Sequence, residues 1–245
     1  MSLELSVVVP AHNEVGNVAP LLSEIRAALD GLADYELIYV DDGSDDGTAE
    51  RLAHLQQDVP RLRVIRLRRR TGQSAAILAG VRAARGAWIA TLDGDGQDDP
   101  ADLTSMLAMV RHPPSTPALK LVVGHRLHRR DALTKRLASR FANGVRARVL
   151  GDATPDTGCG LKLFSREAFV GLPQFDHMHR FLPALFLQSG WQVTSMPVRH
   201  RPRRHGRSHY GVLDRLGAGV VDLVGVLWLK HRALRPNASE TIDER

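Results

Sequence analysis

The chain alternates short β-branched runs with stretches of helical period. Residues 5–10 (LSVVVP) form a β-branched run, the pattern of a buried strand. Over 14–30, Val18, Leu21, Leu22, Ile25 and Leu29 recur at helical spacing behind Asn13, a candidate N-cap. Residues 35–40 repeat the strand pattern and end in the turn Asp41-Asp42-Gly43-Ser44. A helix is predicted over 45–58, with Ser44 and Asp45 as its caps. Strand, helix and strand follow over 62–67, 72–85 and 87–92. This alternation predicts an α/β fold with a mostly parallel sheet flanked by helices. Ligands of such sheets bind beyond the carboxyl ends of the strands, where the acidic turns 41–42 and 93–99 fall.

The second half is less regular. Strands are predicted over 119–124, 161–164 and 191–200, and helices over 132–150 and 181–189. A basic loop covers 201–209, and a last helix 212–229. Leu213, Leu216, Val220, Val224 and Leu227 mark one side of that helix; Asp214, Ala218 and Asp222 mark another. Asp214, Arg215 and Asp222 oppose membrane spanning. The alternatives are an amphipathic helix lying in the membrane plane or on a membrane partner, and a helix packed on its own domain. With no internal repeat or linker, the expected organisation is one domain, 1–210, and an appendage, 211–245.

Composition narrows the function. Of 245 residues 43% are apolar and 24% charged, which describes a globular chain. The single cysteine, Cys159, excludes a disulfide framework and a multi-cysteine zinc site, and its default role is a small, partly buried side chain. No export signal and no 18-residue apolar stretch is present, so the expected location is the cytoplasm. The net charge of +6 calls for an anionic partner: nucleic acid, a membrane surface or a phosphorylated substrate. Aromatic residues are only 5%, leaving few stacking platforms, and no nucleic-acid motif is present, so nucleic acid is not expected. The arginine-rich stretch 61–70 reads mainly as a solvated edge, 129–148 as either a lipid-headgroup or an acceptor-phosphate face.

Three segments carry chemistry. In 91–100 (TLDGDGQDDP), Asp93 and Asp95 stand one residue apart across Gly94, at the end of a buried strand. Two such carboxylates suit a hard divalent cation that also takes substrate phosphates, with Gln97 able to add a neutral oxygen. The bland alternative is a solvated turn capping the next helix. In 39–48 (YVDDGSDDGT), Asp41 could hydrogen-bond a base or ribose. In 7–14 (VVVPAHNE), strand, turn and cap suffice. His177 and His179 read as surface histidines or as acceptor contacts.

Together these segments resemble the family 2 glycosyltransferases of GT-A fold. Further stretches resemble the dolichol-phosphate mannosyltransferase subgroup and its undecaprenyl-phosphate relatives: 72–76 (GQSAA) with Gly80, DGDGQDDP, 156–162 (DTGCGLK) and 203–210 (RRHGRSHY). The resemblance implies that Pro10, His12, Glu14, Asp41 and Gly94 line a nucleotide-sugar pocket and that Arg126 contacts the donor. It implies Mg²⁺ or Mn²⁺ at Asp93, Asp95 and Gln97, and phosphate contacts from Arg203, Arg207 and His209. Asp93, Asp95 and Arg203 become the catalytic set, with Asp156 either an orienting carboxylate or a loop cap. The implied reaction moves a sugar, with inversion, from a nucleotide donor to a polyprenyl phosphate. GDP-mannose is the favoured donor and a UDP-sugar the alternative. The implied location is peripheral, at the inner face of the cytoplasmic membrane, with a membrane protein as a further candidate partner. A family 2 transferase acting on a non-lipid, cell-surface polysaccharide acceptor is the competing reading. The sequence departs from the subgroup at His12, where a tyrosine is usual, and at His209, where a lysine is. A histidine is cationic only below its pKa, about 6.5 when unperturbed.

Overall fold

The computed structural model describes residues 3–112, 119–127, 150–152, 154–203 and 212–232. The chain divides into two compact units, Met1–His209 and Tyr210–Arg245. The first is built on a sheet of seven described strands: β1 (Leu5–Ala11), β2 (Tyr35–Asp41), β3 (Leu62–Arg66), β4 (Trp88–Thr91), β5 (Leu119–Arg126), β6 (Lys162–Ser165) and β7 (Gln192–Val198). Their order is β3-β2-β1-β4-β6-β5-β7. The first four pair in parallel with one another, as the strand–helix alternation requires. β6 runs antiparallel to both β4 and β5, while β5 and β7 pair in parallel. This reversal brings the start of β6 to the same end of the sheet as the finish of β4 and β5: Thr91 pairs with Lys162, and Lys162 with Val123.

The central strands β1 and β2 are mostly apolar because helices cover them. β1 and β2 are buried at almost every position. α1 (Val15–Leu29) lays Val18, Leu21, Leu22, Ile25 and Leu29 into the core, the face its periodicity predicts. Each such side chain contributes about 1.5–3 kcal/mol on full burial. α2 (Thr48–Asp58), α3 (Gln73–Ala83) and α4 (Asp102–Arg111) follow β2, β3 and β4, and α5 (Arg166–Val170) and α6 (Leu182–Gln188) lie in the less regular half.

The helix starts differ from expectation because the cap candidates find partners distant in sequence. Asn13 does not cap α1. It adopts a positive φ of 59° and exchanges two hydrogen bonds with Asp45: its Nδ2 donates to Oδ1 at 2.8 Å, and the Asp45 N–H donates to its Oδ1 at 3.0 Å. The Ser44 hydroxyl accepts the Asn13 N–H at 3.0 Å. Ser44 and Asp45, expected as caps of α2, therefore tie the β1 and β2 turns together, and Asp46 takes the Thr48 N–H instead.

The second unit contains α7 (Val212–Arg232). No helix among the described residues is long and apolar enough to cross a membrane. Val221, Val224 and Trp228, which share one side at helical spacing, are exposed by 72%, 61% and 61%. Of the stripe expected from sequence Val224 is on this exposed side, while Leu227 is half-buried. The predicted helix 132–150, apart from Leu150, lies outside the described residues, as do Arg207 and His209.

Candidate active site

The carboxyl ends of β1, β2, β4 and β5 and the start of β6 converge on Asp93. Its carboxylate sits on Gly160, where a Cβ would stand 2.4 Å from Cγ and 2.5–2.6 Å from the two oxygens; only glycine leaves room. Gln73, at the start of α3, donates to Asp93 Oδ1 at 2.7 Å. Thr91 Oγ1 donates to the Gly160 carbonyl at 2.8 Å, pinning that backbone against β4. Burial, reinforced by Asp98 and Asp95, pushes the Asp93 carboxyl up to about 7, against the pull of Lys162 and Arg126. Lys162 is itself buried beneath the site, donates to the Cys159 carbonyl, and is lowered by that burial.

Asp95 is also buried. Its Oδ1 accepts the Gln97 N–H at 3.0 Å and its Oδ2 accepts Arg203 Nη2 at 2.6 Å. Arg203 Nη1 lies 3.7 Å from Glu14, which accepts Asn17 Nδ2 at 2.5 Å and is raised by burial. Gly94 lets this turn lie against β1, since a Cβ there would stand 2.8 Å from the Pro10 carbonyl oxygen. Pro10, Glu14, Asp93, Asp95 and Arg203, five residues singled out from sequence, are thus brought together. The Gln97 side chain is turned elsewhere: its Nε2 donates to the Arg201 carbonyl at 3.2 Å.

Arg126, at the end of β5, is gripped by Asp156 through Nε at 2.6 Å and Nη2 at 2.8 Å. Burial alone would lower the guanidinium pKa, but Asp156 more than offsets it and raises it. Asp156 thus holds the Arg126 guanidinium by two hydrogen bonds. The end of the site where the resemblance implies the nucleotide is formed by β1 and β2. His12 Nδ1 bonds the Asp42 carbonyl at 2.8 Å, and the Asp42 carboxylate accepts from the Thr71 and Gly72 N–H groups at 2.6 and 2.8 Å. Asp41 is fully buried; Oδ1 takes the Ser44 N–H at 3.1 Å, whereas Oδ2 makes no hydrogen bond and has Arg66 Nε at 3.5 Å.

The basic segment 199–203 is less uniform than its sequence suggests. Arg199 pairs with Asp99 and Asp102, and Arg201 with Glu24 and the Asp98 carbonyl, so both brace the acidic loop. Sequence reasoning gave no role to Gln73, Gly160 or Lys162. A lysine in a short, otherwise apolar strand is the signal that could have singled out Lys162. His179 bonds the buried Ser74 hydroxyl at 2.7 Å and is pushed well below 6.5 by burial, so it is not an ordinary surface histidine. Cys159 is fully buried and raised by burial to about 12, which excludes a thiolate nucleophile at neutral pH.

Residues 6–171 match the model of glycosyl transferase family 2. The chain belongs to this family. The transferase is 38% identical over 243 residues to a dodecaprenyl-phosphate galacturonate synthase of Rhizobium johnstonii, covering 96% of this chain and 70% of the relative. It is 32% identical to an undecaprenyl-phosphate 4-deoxy-4-formamido-L-arabinose transferase of Edwardsiella ictaluri, covering 91% and 67%. Its fold matches that of glucosyl-3-phosphoglycerate synthase from Mycobacterium tuberculosis, solved with Mn²⁺, UDP-glucose and phosphoglyceric acid. The TM-score is 0.67 at 22% identity, over 96% of this chain and 81% of that one. The expected GT-A architecture is therefore the one found.

The donor set suits the divalent cation that the family resemblance implies. Asp93 and Asp95 stand one residue apart at the end of β4, burial together with the neighbouring carboxylates raises Asp93, and the Arg203 guanidinium already places positive charge 2.6 Å from Asp95. Among the described residues no three His, Cys, Asp or Glu side chains gather as a closed metal cage. An open pair that shares its cation with substrate phosphates needs none.

Proposed function

We propose that this glycosyltransferase moves a sugar, with inversion, from a uridine-diphosphate donor to a polyprenyl phosphate. The observation that carries this reading is the facing arrangement of the Asp93–Asp95 pair with Arg203, beside an Arg126 already oriented by Asp156. The acceptor's attacking oxygen is anionic at neutral pH, so no strong general base is required. The protein's task is positioning and stabilising charge on the departing diphosphate. Asp93 and Asp95 would hold a divalent cation, which would supply Lewis-acid stabilisation of that charge. Arg126 presents a fixed guanidinium fork, and Arg203 a second one, for phosphate oxygens. Gln73 and Gly160 fix the Asp93 carboxylate, and Pro10, His12 and Asp41 line the nucleotide end.

The relatives' names carry galacturonate and 4-deoxy-4-formamido-arabinose, so GDP-mannose finds no support in them. A UDP-linked uronic acid is the preferred donor. The acceptor lipid implies peripheral work at the inner face of the cytoplasmic membrane. The exposed Val221, Val224 and Trp228, followed by Lys230, His231 and Arg232, support docking of α7 in the headgroup region. The test is transfer from labelled UDP-galacturonate, UDP-glucose and GDP-mannose to undecaprenyl phosphate with Mn²⁺. Label from a UDP-sugar should partition into organic solvent. Label entering only water-soluble acceptors would overturn the lipid assignment.

A further inference from the structure

We propose that Arg203 is the resting counter-ion of Asp95 and competes with the divalent cation for that carboxylate, so that cation entry frees the guanidinium for the donor's diphosphate. This inference rests on the metal-assisted reading above and adds to it an order of events.

The contact is built. Arg203 Nη2 lies 2.6 Å from Asp95 Oδ2, a short charge-assisted bond between side chains exposed by only 26% and 10%. The other oxygen of Asp95 is committed to the Gln97 N–H of its own turn, so the outward oxygen is the one the guanidinium occupies. The segment that delivers Arg203 is fixed two residues earlier. The Arg201 N–H donates to the Gln97 carbonyl at 2.8 Å, Gln97 Nε2 donates to the Arg201 carbonyl, and Arg201 Nη2 reaches Glu24 at 2.6 Å. Asp98 and His200 form an isolated antiparallel bridge alongside. The acidic loop and the basic segment thus form one clasp whose last tooth is Arg203 on Asp95.

A guanidinium and a divalent ion at one carboxylate oxygen repel each other and overlap in space, so occupation by one excludes the other. Glu14, 3.7 Å from Arg203 Nη1, gives the displaced guanidinium a second carboxylate to hold until phosphates arrive. The arrangement keeps a cluster of carboxylates neutralised when no cation is present. It then couples cation entry to release of an arginine beside the diphosphate.

The test is Mn²⁺ affinity of the full chain without nucleotide, by titration calorimetry or electron paramagnetic resonance, for wild type, Arg203→Gln, Arg203→Lys and Asp95→Asn. Arg203→Gln should bind Mn²⁺ about tenfold tighter than wild type, a difference of about 1.4 kcal/mol. Arg203→Lys should stay within about threefold, and Asp95→Asn should bind at least about tenfold more weakly. With Mn²⁺ saturating, Arg203→Gln should bind UDP more weakly than wild type, the opposite sign. A second measurement needs no variant: saturating Mn²⁺ should speed phenylglyoxal modification of Arg203, followed by peptide mass spectrometry. Unchanged Mn²⁺ affinity in Arg203→Gln while Asp95→Asn binds poorly, or an unchanged modification rate, overturns the competition and leaves the metal reading standing. Wild-type Mn²⁺ affinity in Asp95→Asn overturns both.

Discussion

Replacing Gly160 by alanine adds one methyl group, and the structure places that methyl on the carboxylate of Asp93. The new Cβ would stand 2.4 Å from Cγ and 2.5 and 2.6 Å from the oxygens, against an ordinary separation of about 3.5–4 Å between non-bonded carbons. Something has to move by about 1 Å, and the carboxylate is the free end, because the Gly160 carbonyl is pinned by Thr91. Moving it breaks the 2.7 Å bond from Gln73. Displacements of this size at a reacting centre cost about 10²-fold in rate. The accompanying overpacking should cost about 1–3 kcal/mol of stability. Gly124→Ala is the matched control: its Cβ would meet Cys159 Sγ at 2.8 Å and the Leu161 carbonyl at 3.0 Å, so it strains the same layer without touching Asp93. Sugar transfer to undecaprenyl phosphate and Mn²⁺ affinity, measured with thermal melts of both variants, separate the effects. Gly160→Ala should lose about 10²-fold in transfer and also Mn²⁺ affinity, whereas Gly124→Ala should lose mainly stability. Transfer within threefold of wild type in a folded Gly160→Ala would refute the argument that Asp93 must stay where Gly160 lets it lie.

Asp156→Asn should leave the fold intact and lower transfer by about 10–10²-fold, because Arg126 loses its bidentate anchor; a melting curve alongside kinetics checks this, and unchanged kinetics would remove the orienting role. Glu36 is buried at the opposite end of the sheet. Burial alone would raise its pKa, but Ser6, Arg63 and the Arg85 N–H outweigh this and hold it below 4.5. Glu36→Gln should therefore cost about 2 kcal/mol at pH 7, a deficit that shrinks as pH falls through the depressed native value; urea melts with an equal deficit at pH 7 and pH 3 would contradict it. Trp228→Glu on the exposed side of α7 should reduce flotation with anionic liposomes while leaving nucleotide binding unchanged, and equal flotation would argue against lipid docking.

Much of the first half was legible from sequence because its determinants are local. A β-branched run followed by residues at helical spacing names its own element, and an acidic turn after such a strand has to lie at the ligand-binding end of a parallel sheet. Pro10, Glu14, Asp93, Asp95 and Arg203 could be picked out in this way or through the family resemblance. Which partner each side chain takes was not legible, because the partners are distant in sequence. Asn13 has the chemistry of a helix cap, yet Asp45, 32 residues away, claims its amide. The reversed strand β6 carries no mark of its direction, and that direction alone brings Gly160 and Lys162 beneath Asp93. The basic run from Arg199 does not show in sequence which carboxylate each arginine takes, and folding assigns Arg199 to Asp102, Arg201 to Glu24 and Arg203 to Asp95. Charge and pattern along the chain specify which groups are available. Pairing among buried, competing charges is decided only where tertiary packing fixes distances, since electrostatic strength depends on separation and local dielectric, neither of which a sequence contains.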